Sequence, residues 1–314
     1  IVFGILGMFL CSSLLLFWLL PLSLPESCLI GAIITPTDPV VASTMVSGEN
    51  AKRFLPARIR NTISFESGVN DGLVYPLILL VFALIFPAQN LQNWVLKEFL
   101  FATVLCGFVA YVLGKLFGKL MHKSHGKGWM SNKAVLPFSL ALAFLLLSGF
   151  NALGMNGIFS VFIGGFAFSS EISQNETIQE ERVQESMDRV FTIPVFFIFG
   201  LLLPWKDWID LGIWTSVSII FVIILFRRIP SFLLFLRLTP QFKSKFKDQL
   251  LIGWFGPIGV AALYYAIVTL EKTKDDTAWI ITSLVVMAST LIHGLSSLAF
   301  SKWYAKLVSK SNKE

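Results

Sequence analysis

Ten long apolar segments run through the sequence, and they restrict the possible fold more than any other feature. A helix needs about 20 predominantly apolar residues to cross a bilayer, and only helices or closed barrels satisfy their backbone groups there. We therefore predict an all-α, polytopic membrane protein, with a single transmembrane domain of about ten spans over 1–314. The segments are 1–20, 27–46, 60–86, 92–118, 133–151, 156–171, 187–204, 209–237, 246–270 and 276–300.

The composition excludes a soluble globular domain. Hydrophobic residues make up 55% of the chain and charged residues only 14%, whereas soluble domains have about 25% charged residues. The net charge of +6 does not indicate nucleic acid, because the basic residues lie in short loops between apolar segments. The partner predicted by this pattern is the lipid bilayer.

The basic residues also orient the spans. Alternate loops and the C-terminal tail hold nineteen of the 25 Lys and Arg residues, and the opposite loops hold only Lys97, Lys206, Lys272 and Lys274. Cytoplasmic loops carry the excess of positive charge. The tail, residues 301–314, is therefore expected to be short, basic and cytoplasmic, in a multi-pass protein of the cell membrane.

Asp38 lies inside the second apolar segment, in Thr-Pro-Thr-Asp-Pro at 35–39. A charged side chain within a span costs about 2.5–3.5 kcal/mol on insertion scales and is a functional candidate by default. Pro36 and Pro39 each remove an N–H donor and disfavour helix in the preceding residue. We predict a broken helix here, whose carbonyls and helix ends can hold an ion near the bilayer midplane.

The third segment carries four polar residues in Glu-Ser-Gly-Val-Asn-Asp-Gly, 66–72. Residues four apart share a helix face, so Ser67 and Asp71 can present a hydroxyl and a carboxylate to one small cation. Oxygen ligands of this kind suit hard cations. Glu66 and Asn70 lie on a face about 100° away, where a purely structural hydrogen-bond cluster is an equally good interpretation.

Two arginines, Arg227 and Arg228, interrupt the eighth segment. A buried arginine requires a partner, because an unpaired charge is expensive inside a protein. Glu66 is the candidate partner for one of them, and the other could extend to the membrane interface. The ninth segment contains Gly-Trp-Phe-Gly-Pro-Ile-Gly at 253–259, which weakens a helix. It predicts a second discontinuous helix that crosses the first, with a plain packing motif as the alternative.

Weaker signals come from the histidines, the acidic loop and the first residue. His122 and His125 lie in a basic loop and are interpreted as solvated, and His293 is expected to pack inside the last span. The loop 171–190 contains six acidic residues and is either a solvated connector or a regulatory, cation-attracting segment. The chain begins at Ile1 inside an apolar run, which suggests a fragment.

Together these motifs resemble the cation/proton antiporter-1 family of sodium/proton exchangers, and in particular fungal plasma-membrane antiporters and bacterial relatives. The resemblance covers essentially the whole chain, and its most specific part is Glu-Ser-x-x-Asn-Asp-Gly. It rests on TPTDPVV at 35–41, VSG at 46–48, ESGVNDG at 66–72, RRIP at 227–230 and GWFGPIGV at 253–260.

The resemblance implies an inverted-repeat antiporter fold of twelve or thirteen spans with two crossed discontinuous helices. It implies a core domain, including helices within 27–86 and 187–270, that moves against a dimerising domain. The N-terminal helices of such a protein would be missing from this chain. Because the resemblance implies a dimerising domain, a homodimer is expected for the full-length protein.

The resemblance also assigns roles to individual residues. Asp71 matches the cation- and proton-binding carboxylate, and Ser67 matches the neighbouring Na⁺ ligand. The rest of the binding set is Thr37 and Asp38 in the unwound segment, together with Asn70. Glu66 and Arg228 match a structural ion pair, and the helix crossing involves Pro36, Pro39, Gly256, Pro257 and Gly259. One departure is Ile258, where many members have a basic residue, so any role of that charge is absent or moved.

These residues predict secondary active exchange of Na⁺, or of Li⁺ or K⁺, for H⁺, with no cofactor. A single carboxylate can hold a proton or a cation and hardly both, so switching only when one is bound gives exchange. A cation channel is one rival, but it would need a continuous polar path or a filter. A membrane enzyme is another, although neither His-Glu-x-x-His nor Gly-x-Ser-x-Gly occurs in the sequence.

Overall fold

The computed structural model describes residues 2–38, 40–41, 43–85, 91–131, 134–172, 190–243 and 245–311, and all regular elements in this part of the chain are helices. Pro39 and residues 173–189 of the acidic loop lie outside the described residues. The helices are α1 (Val2–Leu19), α2 (Leu24–Ile33), α3 (Ser43–Val46), α4 (Gly48–Phe54), α5 (Ala57–Ile85), α6 (Leu91–Gly126), α7 (Val135–Ala152), α8 (Gly157–Ser169), α9 (Val190–Leu201), α10 (Trp205–Asp210), α11 (Ile213–Phe226), α12 (Ile229–Leu238), α13 (Phe246–Trp254), α14 (Val260–Thr273) and α15 (Thr277–Ser311).

Each of the ten predicted segments contains helix, and the chain is a multi-pass membrane protein. Within the described residues, five helices are long and apolar enough to cross a membrane, namely Val2–Leu19, Ala57–Ile85, Leu91–Gly126, Ile213–Leu238 and Thr277–Val308. Four shorter apolar helices accompany them, at Leu24–Ile33, Pro137–Ala152, Gly157–Ser169 and Val190–Leu201. The apolar runs therefore fold as the helices that their length and composition predict.

The chain separates into two compact units. The first comprises Ile1–Val74 and Ile198–Glu314, and the second comprises Tyr75–Phe197. Within the second unit, α6 and α8 pack closely. A Cβ atom on Gly114 would overlap the backbone of Gly164, so the two helices touch through their glycines. Small residues at such contacts let membrane helices approach one another. The predicted site residues all belong to the first unit.

Two predicted spans are interrupted within the first unit. In the second span, α2 ends at Ile33, and the described residues before α3 are not helical. In the ninth span, α13 ends at Trp254 and α14 begins at Val260, with 255–259 non-helical between them. Both interruptions coincide with the Pro- and Gly-containing motifs, because Pro removes a helix donor and Gly is a poor helix former.

A partly buried polar cluster holds α5 beside α13 and α15. Nε of Arg58 on α5 donates to Oδ2 of Asp248 on α13 over 2.8 Å, and the Tyr304 hydroxyl on α15 donates to Oδ1 over 2.7 Å. Asp248 is 3% exposed, and these two bonds occupy both of its oxygens. The cluster therefore fixes the first half of the interrupted ninth span against the helix that carries Glu66 and Asp71.

Candidate functional site

The two interruptions meet at Asp38. Its backbone N–H donates to the Pro257 carbonyl over 2.7 Å, and its carboxylate Oδ2 accepts from the Val260 N–H over 2.9 Å. A Cβ atom on Gly259 would overlap this carboxylate, so glycine at 259 lets the two interrupted segments come this close. The crossing of two broken helices, predicted from the sequence, is therefore present around Asp38.

The Asp38 carboxylate caps the N-terminus of α14 and also binds the turn that follows it. Its Oδ1 accepts from the N–H groups of Val40 and Val41 over 2.7 and 3.3 Å, while Oδ2 holds the first residue of α14. Free N–H groups give a helix N-terminus a partial positive charge, which a carboxylate stabilises. Asp38 is 5% exposed, and these backbone donors offset the cost of burying its charge. Its predicted contact with the cation itself stays a prediction.

Arg227 holds the opposite ends of the broken helices. Its Nη1 donates to the carbonyls of Ile34 and Thr35 over 2.8 and 3.0 Å, and its Nη2 donates to the Gly256 carbonyl. These carbonyls follow the last turns of α2 and α13, where unpaired oxygens carry partial negative charge. Arg227 is 3% exposed. The interpretation that one arginine extends to the membrane interface is therefore wrong, because both are buried.

Glu66 and Arg228 form a buried ion pair. Arg228 Nη1 lies 2.8 Å from Glu66 Oε1, and both side chains are 2% exposed. Arg228 Nε also donates to the Ile252 carbonyl over 3.1 Å, and its guanidinium lies 3.8 Å from the centre of the Phe232 ring. A Cβ atom on Gly256 would overlap this guanidinium. Glycine at 256 therefore makes room for the arginine that pairs with Glu66.

Thr37 and Asn70 extend the polar network around Glu66. Asn70 Nδ2 donates to Glu66 Oε1 over 3.2 Å and to the Thr35 carbonyl over 3.4 Å. The Thr37 hydroxyl lies 3.3 Å from both Glu66 Oε2 and Ser67 Oγ. The unwound segment is thereby connected to both faces of α5. Asn70 lies with Glu66, as the four-residue spacing predicts.

Asp71 is half-buried, and it differs from the buried acids Asp38, Glu66 and Asp248 because one oxygen of its carboxylate is not satisfied. Among the described residues, Asp71 Oδ1 is shielded from solvent and has no hydrogen-bond donor, and Asn70 Oδ1 is in the same situation. An unsatisfied buried acceptor costs about 1–3 kcal/mol, and more if charged. A proton or a cation on Asp71 would neutralise the charge and so lower this cost. The carboxylate therefore has the chemistry of an exchangeable-ion site, with Ser67 one turn earlier on the same face.

Several supporting contacts were not predicted. The Tyr265 hydroxyl on α14 donates to the Asp71 backbone carbonyl over 2.7 Å. On α15, Ser289 Oγ accepts from the Ile258 N–H over 2.8 Å, and His293 Nε2 lies 3.1 Å from the Trp254 carbonyl. These side chains bind backbone atoms, for which the sequence has no partner signal. The four-residue spacing of Ser289 and His293 indicates only that the two side chains share a helix face.

Comparison with models of protein families identifies the family of this chain. The model described as "Sodium/hydrogen exchanger, transmembrane" matches residues 1–303. The chain belongs to the sodium/hydrogen exchanger family. Its site residues therefore lie in the transmembrane part of such an exchanger, in agreement with the resemblance carried by the motifs.

Similar proteins include fungal and bacterial antiporters. The chain is 32% identical over 307 residues to Na(+)/H(+) antiporter 2 of Zygosaccharomyces rouxii, which covers 88% of this chain and 38% of the relative. It is 27% identical over 291 residues to the K(+)/H(+) antiporter NhaP2 of Shewanella baltica, covering 89% and 47%. The chain thus spans less than half the length of these two relatives.

A solved structure shows the fold. The chain resembles the sodium proton antiporter MjNhaP1 from Methanocaldococcus jannaschii at pH 8, with a TM-score of 0.70 and 19% identity. The match covers 96% of this chain and 76% of that one. This exchanger-family chain therefore has the antiporter fold expected from the sequence.

Proposed function

We propose that this chain is the transport part of a secondary active antiporter that exchanges a monovalent cation, Na⁺ first among the candidates, for H⁺. The observation that carries the proposal is the carboxylate of Asp71, which has a buried oxygen without a donor beside a crossing of two broken helices. Family membership supports it, because the similar proteins are named as antiporters. The chain is accordingly a transporter and not an enzyme.

The exchange chemistry rests on Asp71. Its carboxylate binds either a proton or a cation, because each neutralises the same buried charge. Ser67 is the neighbouring hydroxyl ligand, and Thr37, Asp38 and Asn70 complete the proposed binding set through the unwound segment. These oxygen donors suit a hard monovalent cation. The proposed substrates are H⁺ and a monovalent cation, Na⁺ first, and the mechanism requires no cofactor.

The surrounding charges keep the site in shape. Asp38 and Arg227 neutralise the helix ends at the crossing, and the Glu66–Arg228 pair joins α5 to the kink between α11 and α12. None of these groups needs to change protonation during a transport cycle. Asp71 is thereby left as the acid that exchanges its ligand when the protein opens alternately to the two sides of the membrane.

A K⁺-preferring antiporter of the same fold is the second candidate. The Shewanella relative is named as a K(+)/H(+) antiporter, and the Zygosaccharomyces relative as a Na(+)/H(+) antiporter. Na⁺, K⁺ and Li⁺ all accept the oxygen ligands that the site offers. The proposal therefore places cation/proton exchange ahead of any particular ion.

The cellular setting follows from the same considerations. We place the protein in the cell membrane with its C-terminal tail in the cytoplasm, because of the asymmetry of its basic residues. The full-length protein is proposed to be a homodimer in the lipid bilayer, as the family resemblance implies. Crosslinking of the purified full-length protein in lipid tests this assembly.

Transport by the reconstituted protein tests the function. The full-length protein is placed in vesicles that contain a trapped pH dye and sit in a pH gradient, and Na⁺, Li⁺ and K⁺ are added in turn. Exchange predicts that at least one cation collapses the gradient, and the order of potency reports the preferred ion. Cation current without proton movement would instead identify a channel.

A further inference from the structure

Tyr265 contacts the site from α14, a helix that carries none of the proposed cation ligands. Its hydroxyl donates to the backbone carbonyl of Asp71 over 2.7 Å, and its side chain is 1% exposed. The contact joins residues 194 positions apart in the chain. It therefore fixes the backbone of the proposed binding carboxylate, while the carboxylate itself stays available for an ion.

The hydrogen bond acts at a weak point of α5. Pro76 lies inside this helix, five residues after Asp71. A proline in a helix interior removes the hydrogen bond to the residue four positions earlier and kinks the helix. The bond that Pro76 cannot make is the one to residue 72, directly after Asp71, so α5 has one backbone hydrogen bond fewer in this region. A carbonyl oxygen has two lone pairs, so it can accept a donor from a neighbouring helix as well.

The helix that carries Tyr265 is itself fixed at the crossing. α14 begins at Val260, whose N–H is bound by the Asp38 carboxylate. Tyr265 follows five residues later, about 7.5 Å along the axis at 1.5 Å per residue. One short stretch of α14 thus binds the unwound segment at one end and the Asp71 backbone at the other. It sets the distance between these two parts of the proposed cation site.

We infer that Tyr265 is a positioning residue that sets the affinity of the antiporter for its cation. The inference rests on the proposed function of Asp71. A cation needs several oxygen ligands at fixed distances, whereas a proton needs only one carboxylate oxygen. Loosening the backbone of Asp71 therefore weakens cation binding and leaves proton binding nearly unchanged.

Tyr265→Phe tests this role, because it removes only the hydroxyl group. The matched control is Tyr264→Phe, the same chemical change at the neighbouring residue, whose side chain is 51% exposed. Both variants of the full-length protein are compared with the parent for the KM for Na⁺, the maximal exchange rate and the thermal midpoint. The rise of the midpoint with Na⁺ concentration gives a binding measurement that is independent of transport.

The expected result is a rise of about fivefold in the KM for Na⁺ in Tyr265→Phe, equivalent to about 1 kcal/mol. The maximal rate and the Na⁺-free thermal midpoint stay close to those of the parent, and Tyr264→Phe matches the parent throughout. An unchanged KM in Tyr265→Phe would overturn the inference. So would a lower midpoint with no change in the Na⁺ titration, since that outcome shows a purely structural bond.

One further variant, measured in the same experiments, separates this inference from the proposed function. Asp71→Asn is measured beside the two tyrosine variants, in exchange and in the Na⁺ titration of the thermal midpoint. If Asp71→Asn retains exchange, the proposed function of Asp71 fails whatever Tyr265 does. If Asp71→Asn is inactive and Tyr265→Phe binds Na⁺ like the parent, only the positioning role fails.

Discussion

Arg228 Nη1 and Glu66 Oε1 lie 2.8 Å apart, and each side chain is only 2% exposed. Breaking a pair buried this deeply is costly, because it leaves one charge uncompensated in the protein interior. The pair connects α5, one turn before Asp71, to the kink that precedes α12. Its role is therefore expected to be structural, in contrast to the role of Asp71.

Glu66→Gln should lower the thermal stability of the protein strongly. Removing one partner of a buried ion pair costs about 3–5 kcal/mol, because the other charge is left uncompensated. The affinity of the remaining folded protein for Na⁺ should change much less. The measurement is the thermal midpoint of the purified full-length protein, followed by a Na⁺ titration below that midpoint.

Two further variants sharpen the Glu66 prediction. Glu171→Gln is the control, since Glu171 pairs with Lys115 at 3.5 Å near the surface, where ion pairs contribute little. The double variant Glu66→Gln with Arg228→Met removes both buried charges and should regain part of the lost stability. A thermal midpoint that is unchanged by Glu66→Gln would count against a structural pair.

Gly259→Ala should disrupt the helix crossing. A Cβ atom at this position would overlap the Asp38 carboxylate, so the carboxylate or the backbone must move, at a cost of about 1–3 kcal/mol for an overpacked core. Gly253→Ala is the matched control in the same motif, because its nearest neighbour would lie 3.5 Å away. Thermal midpoint and exchange rate are measured for both, and equal behaviour of the two variants contradicts the crossing geometry.

Arg227→Lys should lower the thermal stability of the protein, although it keeps the positive charge. The guanidinium donates to three carbonyls from two helix ends, and a lysine ammonium cannot reproduce this planar fork. Loss of one charged hydrogen bond corresponds to about 1.5–3 kcal/mol. Arg237→Lys, at an exposed position of α12, should have no comparable effect on the thermal midpoint. Similar midpoints for these two variants would show that the fork is unimportant.

Competition at one carboxylate predicts a specific pH dependence of transport. Lowering the pH increases the protonated fraction of the site, so the apparent KM for Na⁺ should rise while the maximal rate at saturating Na⁺ changes little. The measurement is a series of Na⁺ titrations in vesicles at several pH values, with equal pH on both sides at the start. A maximal rate that falls at constant KM would instead indicate separate sites for the two ions.

The sequence predicts the helix interruptions for local reasons, and it limits the buried partner of Glu66 to Arg227 or Arg228. Proline and glycine act on the backbone where they stand, so motifs at 35–39 and 253–259 identify the breaks directly. Charged residues are rare inside the spans, which leaves few possible partners for a buried arginine. The residues alone left both arginines open, and the family resemblance favoured Arg228.

The contacts to backbone atoms could not be predicted in the same way. Arg227 binds carbonyls of Ile34, Thr35 and Gly256, and Tyr265 binds the carbonyl of Asp71. Every residue has a carbonyl, so such a bond leaves no mark on the identity of its acceptor. Only the packing of distant helices, which the sequence does not state, brings donor and acceptor together.

The most direct test of the account is exchange by Asp71→Asn in reconstituted vesicles. Asparagine has nearly the same shape as aspartate but cannot hold a proton or neutralise a cation, so the full-length variant should fold with a thermal midpoint near that of the parent. The account predicts that cation-dependent proton flux disappears, and that Na⁺ no longer raises the thermal midpoint. Proton flux at the parent's rate, in response to Na⁺, Li⁺ or K⁺, would contradict the central role of Asp71.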